Sequence, residues 1–214
     1  MPKPPEGPVL PPLGRDGFAA QVSVSRETLD RLDAYAALLV KWQKAVNLVG
    51  PKTLGDLWRR HMLDSAQVFP MIPTGSETLM DLGSGAGFPG LVLAILAAEQ
   101  MPALKVHLVE SDQKKATFLR EAARITGVAV AVHGMRIEAL PPWPMDVICA
   151  RALAPLSDLI NWSQKHWHKD TIGLFLKGQD IDLELTQGFD FANMKIRRWP
   201  SQSDGRGTLI ALSR

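Results

Sequence analysis

The 214-residue sequence contains very little cysteine, few aromatic residues and no long apolar run. Its single cysteine, Cys149, excludes an internal disulfide, provides no zinc cluster and is typical of a reducing compartment. No run of about 18 apolar residues is present, so no membrane span is predicted. Prolines stand near the N-terminus where a signal peptide would need an apolar core. We therefore expect a cytoplasmic protein without a bound metal and without membrane contact.

The sequence also lacks a marked excess of positive or negative charge, since the formal net charge is only +2. This value excludes a polycation that holds nucleic acid by charge alone, so any basic surface must be local. Candidate basic groups are Arg59 and Arg60, Lys114 and Lys115, and Lys195 with Arg197 and Arg198. Each group is more typical of an ordinary solvated face than of a phosphate-binding site.

Glycine, in contrast, is concentrated in the segment 81–90, where four glycines separate an apolar run from an amphipathic one. The pattern predicts a strand over 77–82 and a helix over 89–99, joined by this loop. Glycines at such a junction allow positive φ and let the backbone approach a ligand closely. We interpret the segment as a cofactor loop.

Two cofactor classes fit this loop in different registers. A dinucleotide fingerprint is satisfied by Gly85, Gly87 and Gly90, but it leaves Asp81 without a role. With Gly83 as the first glycine, the segment resembles the first motif of S-adenosylmethionine-dependent methyltransferases. Because both cofactors carry a ribose, an acid after the next strand supports either reading, and Glu110 stands there. We therefore place Asp81, Gly83, Gly85 and Glu110 at a nucleoside cofactor.

The chain divides into three parts. Residues 1–24 carry six prolines in the first thirteen positions, and we expect a disordered tail there. Residues 25–75 are predicted to form a helical cap, with one helix beginning after Ser25 and a second over 53–69. Strands and helices alternate over 76–214, which predicts an α/β domain with a mainly parallel sheet.

The elements of this domain follow from hydrophobic periodicity and turn signals. After the first strand, strands are predicted over 105–109, 128–133, 145–150 and 171–176, helices over 114–126, 156–167 and 180–187, and a terminal hairpin over 194–199 and 208–212. The hairpin resembles the end of the Rossmann-like methyltransferase sheet. A classical dehydrogenase fits less well, because few residues remain for a substrate domain.

Several short motifs together resemble the bacterial RsmG family, also called glucose-inhibited division protein B. They are Trp42 through Asn47-Leu48, Arg60-His61-Met62-Leu63-Asp64-Ser65, the loop ending Gly-Phe-Pro-Gly at 87–90, Lys114-Lys115 through Arg120, Arg136-Ile137-Glu138, Arg151-Ala152-Leu153-Ala154 and Leu176-Lys177-Gly178. The resemblance covers about residues 35–213. Val49 departs from it, because many members have Thr after Asn-Leu.

The resemblance implies methyl transfer from S-adenosylmethionine to N7 of a guanine in 16S ribosomal RNA. It implies that Gly83 and Phe88 contact the cofactor, that Ile137-Glu138 flank its adenine and that Arg151 lies at its methionine end. Candidates to hold the base and phosphates are Asn47, Arg60, His61, Lys177 and Arg136. His61 is equally compatible with a structural joint. The expected partner is small-subunit ribosomal RNA or the small subunit, and we expect a monomer.

The chemistry of guanine N7 explains why no catalytic base is expected. The neutral base already presents a lone pair at N7, so displacement needs no His or Asp. Ala150-Arg151-Ala152-Leu153 lacks the Asn/Asp-Pro-Pro-aromatic pattern of amine methylation, and Cys149 lies in an apolar run where thiols pack as small hydrophobes. Two alternatives stay open: an NAD-dependent small-molecule dehydrogenase, and a non-catalytic RNA-binding module for ribosome assembly.

Overall fold

The computed structural model describes residues 11–186 and 191–214. A seven-stranded sheet forms the centre of the α/β domain. Its strands are β1 Thr78–Leu82, β2 Lys105–Val109, β3 Val130–His133, β4 Met145–Arg151, β5 Trp167–Lys177, β6 Lys195–Pro200 and β7 Thr208–Ser213. They lie in the order β3-β2-β1-β4-β5-β7-β6. Strands β1 to β5 are parallel, whereas β7 is antiparallel to both β5 and β6. The predicted parallel sheet with a terminal antiparallel hairpin is confirmed.

Helices cover both faces of the sheet, as the near-continuous apolar strands require. The α-helices are α1 Arg15–Ala19, α2 Arg26–Gln43, α3 Asp64–Ala66, α4 Gly90–Gln100, α5 Gln113–Thr126, α6 Leu156–Ser163 and α7 Ile181–Thr186. Helix α2 packs against α4 and α5 on one face, in a core that includes Leu91, Phe118 and Cys149. Helix α6 packs against α7 on the other face, in a second core around Ile148 and Phe175.

Several predicted boundaries shift in the structure. The predicted helix over 156–167 ends earlier: α6 stops at Ser163, a 3₁₀ turn spans Gln164–His166, and β5 begins at Trp167 instead of 171. Strand β3 begins at Val130, two residues later than predicted. Residue 187, the last of the predicted helix over 180–187, lies outside the described residues. These differences are of the size expected where elements fray.

The second cap helix differs more from its prediction over 53–69. A 3₁₀ helix at Pro51–Asp56 is followed by a π-helix at Trp58–Leu63, by α3, and by a 3₁₀ turn at Phe69–Met71. Periodicity alone does not distinguish these helix types, and π-helical segments occur frequently at functional sites. The π-helix here carries Arg60 and His61.

The prediction of a disordered tail over 1–24 is wrong from residue 11 onward, and residues 1–10 lie outside the described part. Helix α1 buries Phe18 completely, and its ring lies 5.3 Å from that of Trp58. Arg15 pairs with Asp30 and Asp33 of α2 at 2.9 and 2.5 Å. The proline composition that suggested disorder belongs to the first thirteen residues, whereas the apolar anchor follows them.

No helix among the described residues is long and apolar enough to cross a membrane. Across residues 11–186 and 191–214, no three or more His, Cys, Asp or Glu side chains are grouped as metal ligands.

Candidate functional site

A cavity of about 1280 Å³ lies at the carboxyl ends of the parallel strands, where ligands collect in α/β sheets. It extends from the cofactor loop to the cap and to the connection between β6 and β7. Its lining includes Thr53, Arg60, His61, Asp64, Gly83, Gly85, Phe88, Glu110, Lys115, Met135, Arg136, Ile137, Glu138, Arg151, Leu153, Lys177, Asp180, Ser201, Ser203, Asp204 and Arg206.

The loop after β1 has the backbone conformation that its glycines permit. Gly83 and Gly85 have φ angles of +63° and +57°, a region that L side chains rarely adopt. Around Gly85 the nearest atom to an added Cβ is a backbone oxygen at 3.8 Å, so its face is open. At Gly85 the loop therefore offers bare backbone to the cavity.

Asp81 lies behind this loop and does not line the cavity. Its carboxylate accepts a hydrogen bond from the backbone N–H of Gly90 at 3.1 Å, and the Cys149 thiol lies 3.7 Å away. Complete burial raises the pKa of Asp81 to about 7. The direct cofactor contact predicted for Asp81 is therefore corrected: it joins β1 to the start of α4 and so shapes the loop from below.

Glu110 at the end of β2 stabilises the front of the loop. Its Oε2 accepts from the N–H of Gly85 and its Oε1 from the N–H of Asp112, both at 2.8 Å. A carboxylate has about four acceptor positions, so two remain available for hydroxyl groups. This geometry agrees with the ribose-binding role inferred from its spacing.

The cap supports the same loop from the other side. Tyr35 of α2 is fully buried, and its hydroxyl donates to the carbonyl of Ala86. Its ring lies 5.3 Å from Phe88 and 6.3 Å from Phe118. The sequence placed Tyr35 in the apolar face of the first cap helix, but periodicity gives no information about what a side chain on that face contacts.

Arg151 at the end of β4 is the centre of the polar network between the cap and the α/β domain. Its guanidinium lies 4.8 Å from the centroid of the Phe88 ring, in a cation–π contact. It donates to the carbonyl of Arg60 at 3.0 Å, to Asp64 Oδ2 at 3.3 Å and to His61 Nδ1 at 2.8 Å. One cation thus fixes the orientation of the π-helix against the cofactor loop.

His61 is neutral in this network. Because Nδ1 accepts from Arg151, the ring proton lies on Nε2, which donates to Thr53 Oγ1 at 2.7 Å. The ring also stacks on Phe88 with centroids 4.9 Å apart. Burial, followed by the charge of Arg151, lowers the pKa of His61 to about 3. Both ring nitrogens are occupied, which supports the structural-joint interpretation of this residue.

A wall that the sequence did not predict closes the far side of the cavity. Asp64 accepts hydrogen bonds from Ser201 at 3.2 Å and from Ser203, and Arg60 pairs with Asp204 at 2.5 Å. The sequence predicts only a turn-rich connection over 203–207, between the two strands of the terminal hairpin. The only indication of this wall in the sequence is Asp64 in the Arg-His-x-Leu-Asp-Ser motif, and the motif does not show which residues Asp64 contacts.

The structure brings most of the predicted site residues together at the cavity, but Asn47, like Asp81, is not among the residues that line it. Those that line the cavity are Gly83, Gly85, Phe88, Glu110, Arg136, Ile137, Glu138, Arg151, Arg60, His61 and Lys177. Asn47 does not line it: its side chain is exposed and accepts from Gln43 at 3.3 Å, so its predicted base contact is corrected to a surface position beside the cavity. Lys177 lies in the wall but is held in an ion pair with Glu184.

The family model and the similar proteins carry the same family description. The family described as GidB, rRNA small subunit methyltransferase G, matches residues 28–197. A "Ribosomal RNA small subunit methyltransferase G" from Rhodospirillum rubrum is 50% identical over 197 residues, covering 92% of this chain and 96% of the relative. A protein with the same description from Parvibaculum lavamentivorans is 51% identical over 197 residues, covering 91% and 87%.

Solved structures show the same fold at low sequence identity. A ribosomal protein L11 methylase from Lactobacillus delbrueckii subsp. bulgaricus has a TM-score of 0.56 at 21% identity, over 71% of this chain and 76% of that one. A SAM-dependent methyltransferase from Aquifex aeolicus has a TM-score of 0.56 at 16% identity, over 75% and 94%. The fold is therefore that of the Rossmann-like methyltransferases.

Proposed function

The chain belongs to the rRNA small subunit methyltransferase G family, and from this premise we propose that it transfers a methyl group from S-adenosylmethionine to N7 of a guanine in 16S ribosomal RNA. The observation that carries the proposal is the single cavity in which the glycine loop and the basic cap face each other. One half of this cavity suits a nucleoside cofactor, and the other half has the charges and the space that an RNA base needs.

The residues of the first half fit S-adenosylmethionine. Gly85 leaves bare backbone open to the cavity, Gly83 lines the cavity beside Leu153, and Glu110 keeps acceptor positions for ribose hydroxyls. Ile137 is buried beside the exposed Glu138 at the end of β3, where an adenine ring would lie. Arg151 supplies a cation for the carboxylate at the methionine end. We assign these residues to the cofactor.

The chemistry requires positioning more than proton transfer. When bound, the cofactor supplies a methyl group on a sulfonium, and guanine N7 presents its lone pair without a base. Both nitrogens of His61 are occupied by hydrogen bonds within the protein, and Asp64 is engaged with Ser201 and Ser203, so both side chains have structural partners. Alignment of reacting atoms contributes about 7–11 kcal/mol, which exceeds the contribution typical of an acid or base.

Two arginines face the acceptor half. Arg136 is exposed at the cavity and makes no side-chain hydrogen bond or ion pair with any described residue, so its guanidinium is available to a phosphate or a base edge. Arg60 is held by Asp204, which keeps its position at the rim. Arginine both pairs with base edges and stacks on splayed bases, as single-stranded RNA sites require. We assign Arg136 to substrate contact.

The dehydrogenase alternative fits the structure less well. A dinucleotide fold has the parallel strand order 3-2-1-4-5-6, whereas here the antiparallel β7 lies between β5 and β6. The structure also describes no separate substrate domain after β5.

The test is transfer of labelled methyl from S-adenosylmethionine to small ribosomal subunits and to naked 16S RNA, both from cells that lack this protein. N7-specific strand scission maps the product. We expect label on a guanine N7 in one of the two substrates. Absence of label from both substrates, with cofactor binding intact, would contradict the proposal and favour the non-catalytic RNA-binding alternative.

A further inference from the structure

The turn after β4 contains a residue in an unusual backbone conformation. Ala152 has a φ angle of +49°, and it is the one non-glycine among the described residues with a positive φ. L residues other than Asn and Asp rarely adopt this region, and such conformations persist only where the surroundings enforce them. They also cluster at functional sites, so the forces that hold this turn are informative.

Two charged residues hold the turn from behind. Lys177 at the end of β5 is only 7% exposed, and its Nζ lies 2.7 Å from both the carbonyl oxygen of Ala154 and Glu184 Oε2. The same Glu184 oxygen accepts from the N–H of Leu156, the first residue of α6, at 2.7 Å. The ion pair therefore binds the turn at two backbone positions. Lys177 thus contacts the turn directly at Ala154 and, through Glu184 of α7, indirectly at Leu156.

The turn presents Leu153 to the cavity. Its side chain lies over Gly83, where a Cβ added to that glycine would meet Leu153 Cδ1 at 2.5 Å. Leu153 is nevertheless 38% exposed. Within the described residues, only Leu153 and Met135 are both large exposed hydrophobics and part of the cavity lining.

The reaction brings two purines into this cavity, and the two exposed hydrophobics stand at two places in it. Met135 follows β3, close to Ile137 and Glu138 on the side assigned to the adenine. Leu153 follows β4, beside Arg151 and Gly83 at the methionine end, where the methyl group must be presented. Purine faces are apolar while their edges are polar, so an exposed leucine suits the face of a base.

We propose that Leu153 is the apolar platform on which the target guanine is seated, and that Lys177 and Glu184 are positioning residues that hold this platform over Gly83. This inference rests on the proposed function. It also changes the interpretation of Lys177, which the sequence had suggested as a direct contact to RNA.

Truncation of the platform gives the first test. Leu153→Ala is expected to lower kcat/KM for the ribosomal substrate by about tenfold or more, the loss expected for removing most of a buried leucine contact. The Kd for S-adenosylmethionine is expected to stay within about twofold of wild type, and Leu153→Met is expected to retain most of the activity. An equal loss of cofactor affinity would place Leu153 in the cofactor shell and overturn the proposal.

The positioning role is tested with Lys177→Met and Glu184→Gln. Each is expected to lower kcat/KM, and neither is expected to lower it further in the Leu153→Ala background, because residues that act through one another are non-additive. If Lys177 instead held an RNA phosphate, Glu184→Gln would free it and leave transfer intact or faster. In that case Lys177→Met would also reduce the salt dependence of RNA binding, and both effects would overturn the proposal.

Lys105→Met is the matched control, because it removes one lysine charge at the amino end of β2, the opposite edge of the sheet. It is expected to leave kcat/KM unchanged. Thermal unfolding and cofactor binding are measured for every variant to show that it is folded. If Lys177→Met is unstable, Lys177→Arg, which keeps the charge, is expected to retain part of the rate. Failure of the proposed function is visible in the wild-type protein as absent methylation, whereas an active wild type with an unaffected Leu153→Ala variant contradicts this inference alone.

Discussion

At the scale of single residues, the site depends on buried polar groups whose protonation is set by their neighbours. His61 is held neutral between Arg151 and Thr53, while Asp81 is buried beneath the glycine loop, where it accepts from the N–H of Gly90. Burial disfavours the charged form of both, so it lowers the pKa of the base and raises that of the acid. The two residues therefore affect stability in opposite directions as pH changes.

For His61, the pKa in the folded protein is about 3, against 6.5 for an unperturbed histidine. Below pH 6.5 the unfolded chain takes up a proton that the folded protein does not, so stability is lost as pH falls from about 6.5 towards 3. We expect His61→Gln to be less stable than wild type at pH 8, with a smaller difference at pH 4.5. Urea unfolding measures both values, and a pH-independent difference would contradict the assigned neutral state.

For Asp81, the pKa rises from 3.8 to about 7 on folding. Between these values the folded protein keeps a proton that the unfolded chain has lost, so this residue makes stability fall as pH increases from about 4 to 7. Asp81→Asn cannot titrate, and we expect its stability relative to wild type to increase across that window. Urea unfolding at several pH values is the measurement. A relative stability that stays constant between pH 4 and 7 would show that the carboxyl is ionised in the folded protein throughout this window and would contradict the raised pKa.

Gly85 gives a direct test of the cofactor placement. Its φ of +57° and its open face mean that Gly85→Asp strains the loop and places a charged side chain in the cavity near Glu110. We expect S-adenosylmethionine binding to be abolished in isothermal titration calorimetry. Gly55→Asp is the matched control, because no atom would lie within 4 Å of its Cβ and it does not line the cavity. Normal binding by Gly85→Asp would contradict the placement.

The predicted site residues that line the cavity share one property. Gly83, Gly85 and Glu110 follow strands directly, and the carboxyl ends of parallel strands meet at one edge, so local pattern determines their location. The structure does not place Asp81 in the cavity lining. Asp81 is the penultimate residue of β1, and its side chain points to the face of the sheet that the start of α4 covers. Asn47 is also outside the lining, and it lies in an irregular segment where no periodicity fixes the direction of a side chain.

At the scale of elements, the cap packs directly against the glycine loop after β1 and supports it. Helix α2 places Tyr35 against Ala86 and Phe88, and the π-helix places His61 against the same phenylalanine. The sequence predicted helices here from apolar spacing, and α2 agrees closely with that prediction. The π-helix was not predictable, because apolar spacing does not distinguish it from an α-helix, and its contacts with Arg151 and Asp204 join residues distant in sequence.

Tyr35→Phe isolates the contribution of the cap to the loop. The change leaves the carbonyl of Ala86 without its donor inside the protein, which costs about 1–3 kcal/mol of stability. Because the loop then loses one restraint, we expect the affinity for S-adenosylmethionine to fall severalfold. Chemical unfolding and titration calorimetry measure the two effects.

Trp42→Phe provides the comparison, since Trp42 contacts Phe118 in the same aromatic cluster, with ring centroids 5.6 Å apart, but the structure gives it no hydrogen bond to the loop. It is expected to lower stability without changing cofactor affinity. If Tyr35→Phe also leaves affinity unchanged, the cap does not restrain the loop.

At the scale of the whole molecule, the order of the strands determines which ligand the edge of the sheet can take. The parallel part from β3 to β5 was predictable from alternating strands and helices, and the hairpin from its turn-rich connection. The insertion of β7 between β5 and β6 was implied only by resemblance, because pairing partners distant in sequence leave no local signal.

This topology predicts a selective response to ligands in thermal unfolding. S-adenosylhomocysteine at about 100 times its Kd is expected to stabilise the protein by about 2.7 kcal/mol, which for a chain of this size raises Tm by roughly 5–10 °C. NAD at the same concentration is expected to leave Tm unchanged. A larger shift with NAD would revive the dehydrogenase alternative.

The contacts of Asp64 with the serines of the segment 200–207 also have a consequence for the order of folding. Asp64 is 137 residues from Ser201 and 139 from Ser203 in sequence, whereas Gly85 is only 25 from Glu110. Closing a long loop costs more entropy than closing a short one and must precede the contacts that offset it. We therefore expect the nucleoside-binding edge to become structured early and the far wall late, so that a folding chain acquires the ability to bind the methyl donor before it can accept RNA.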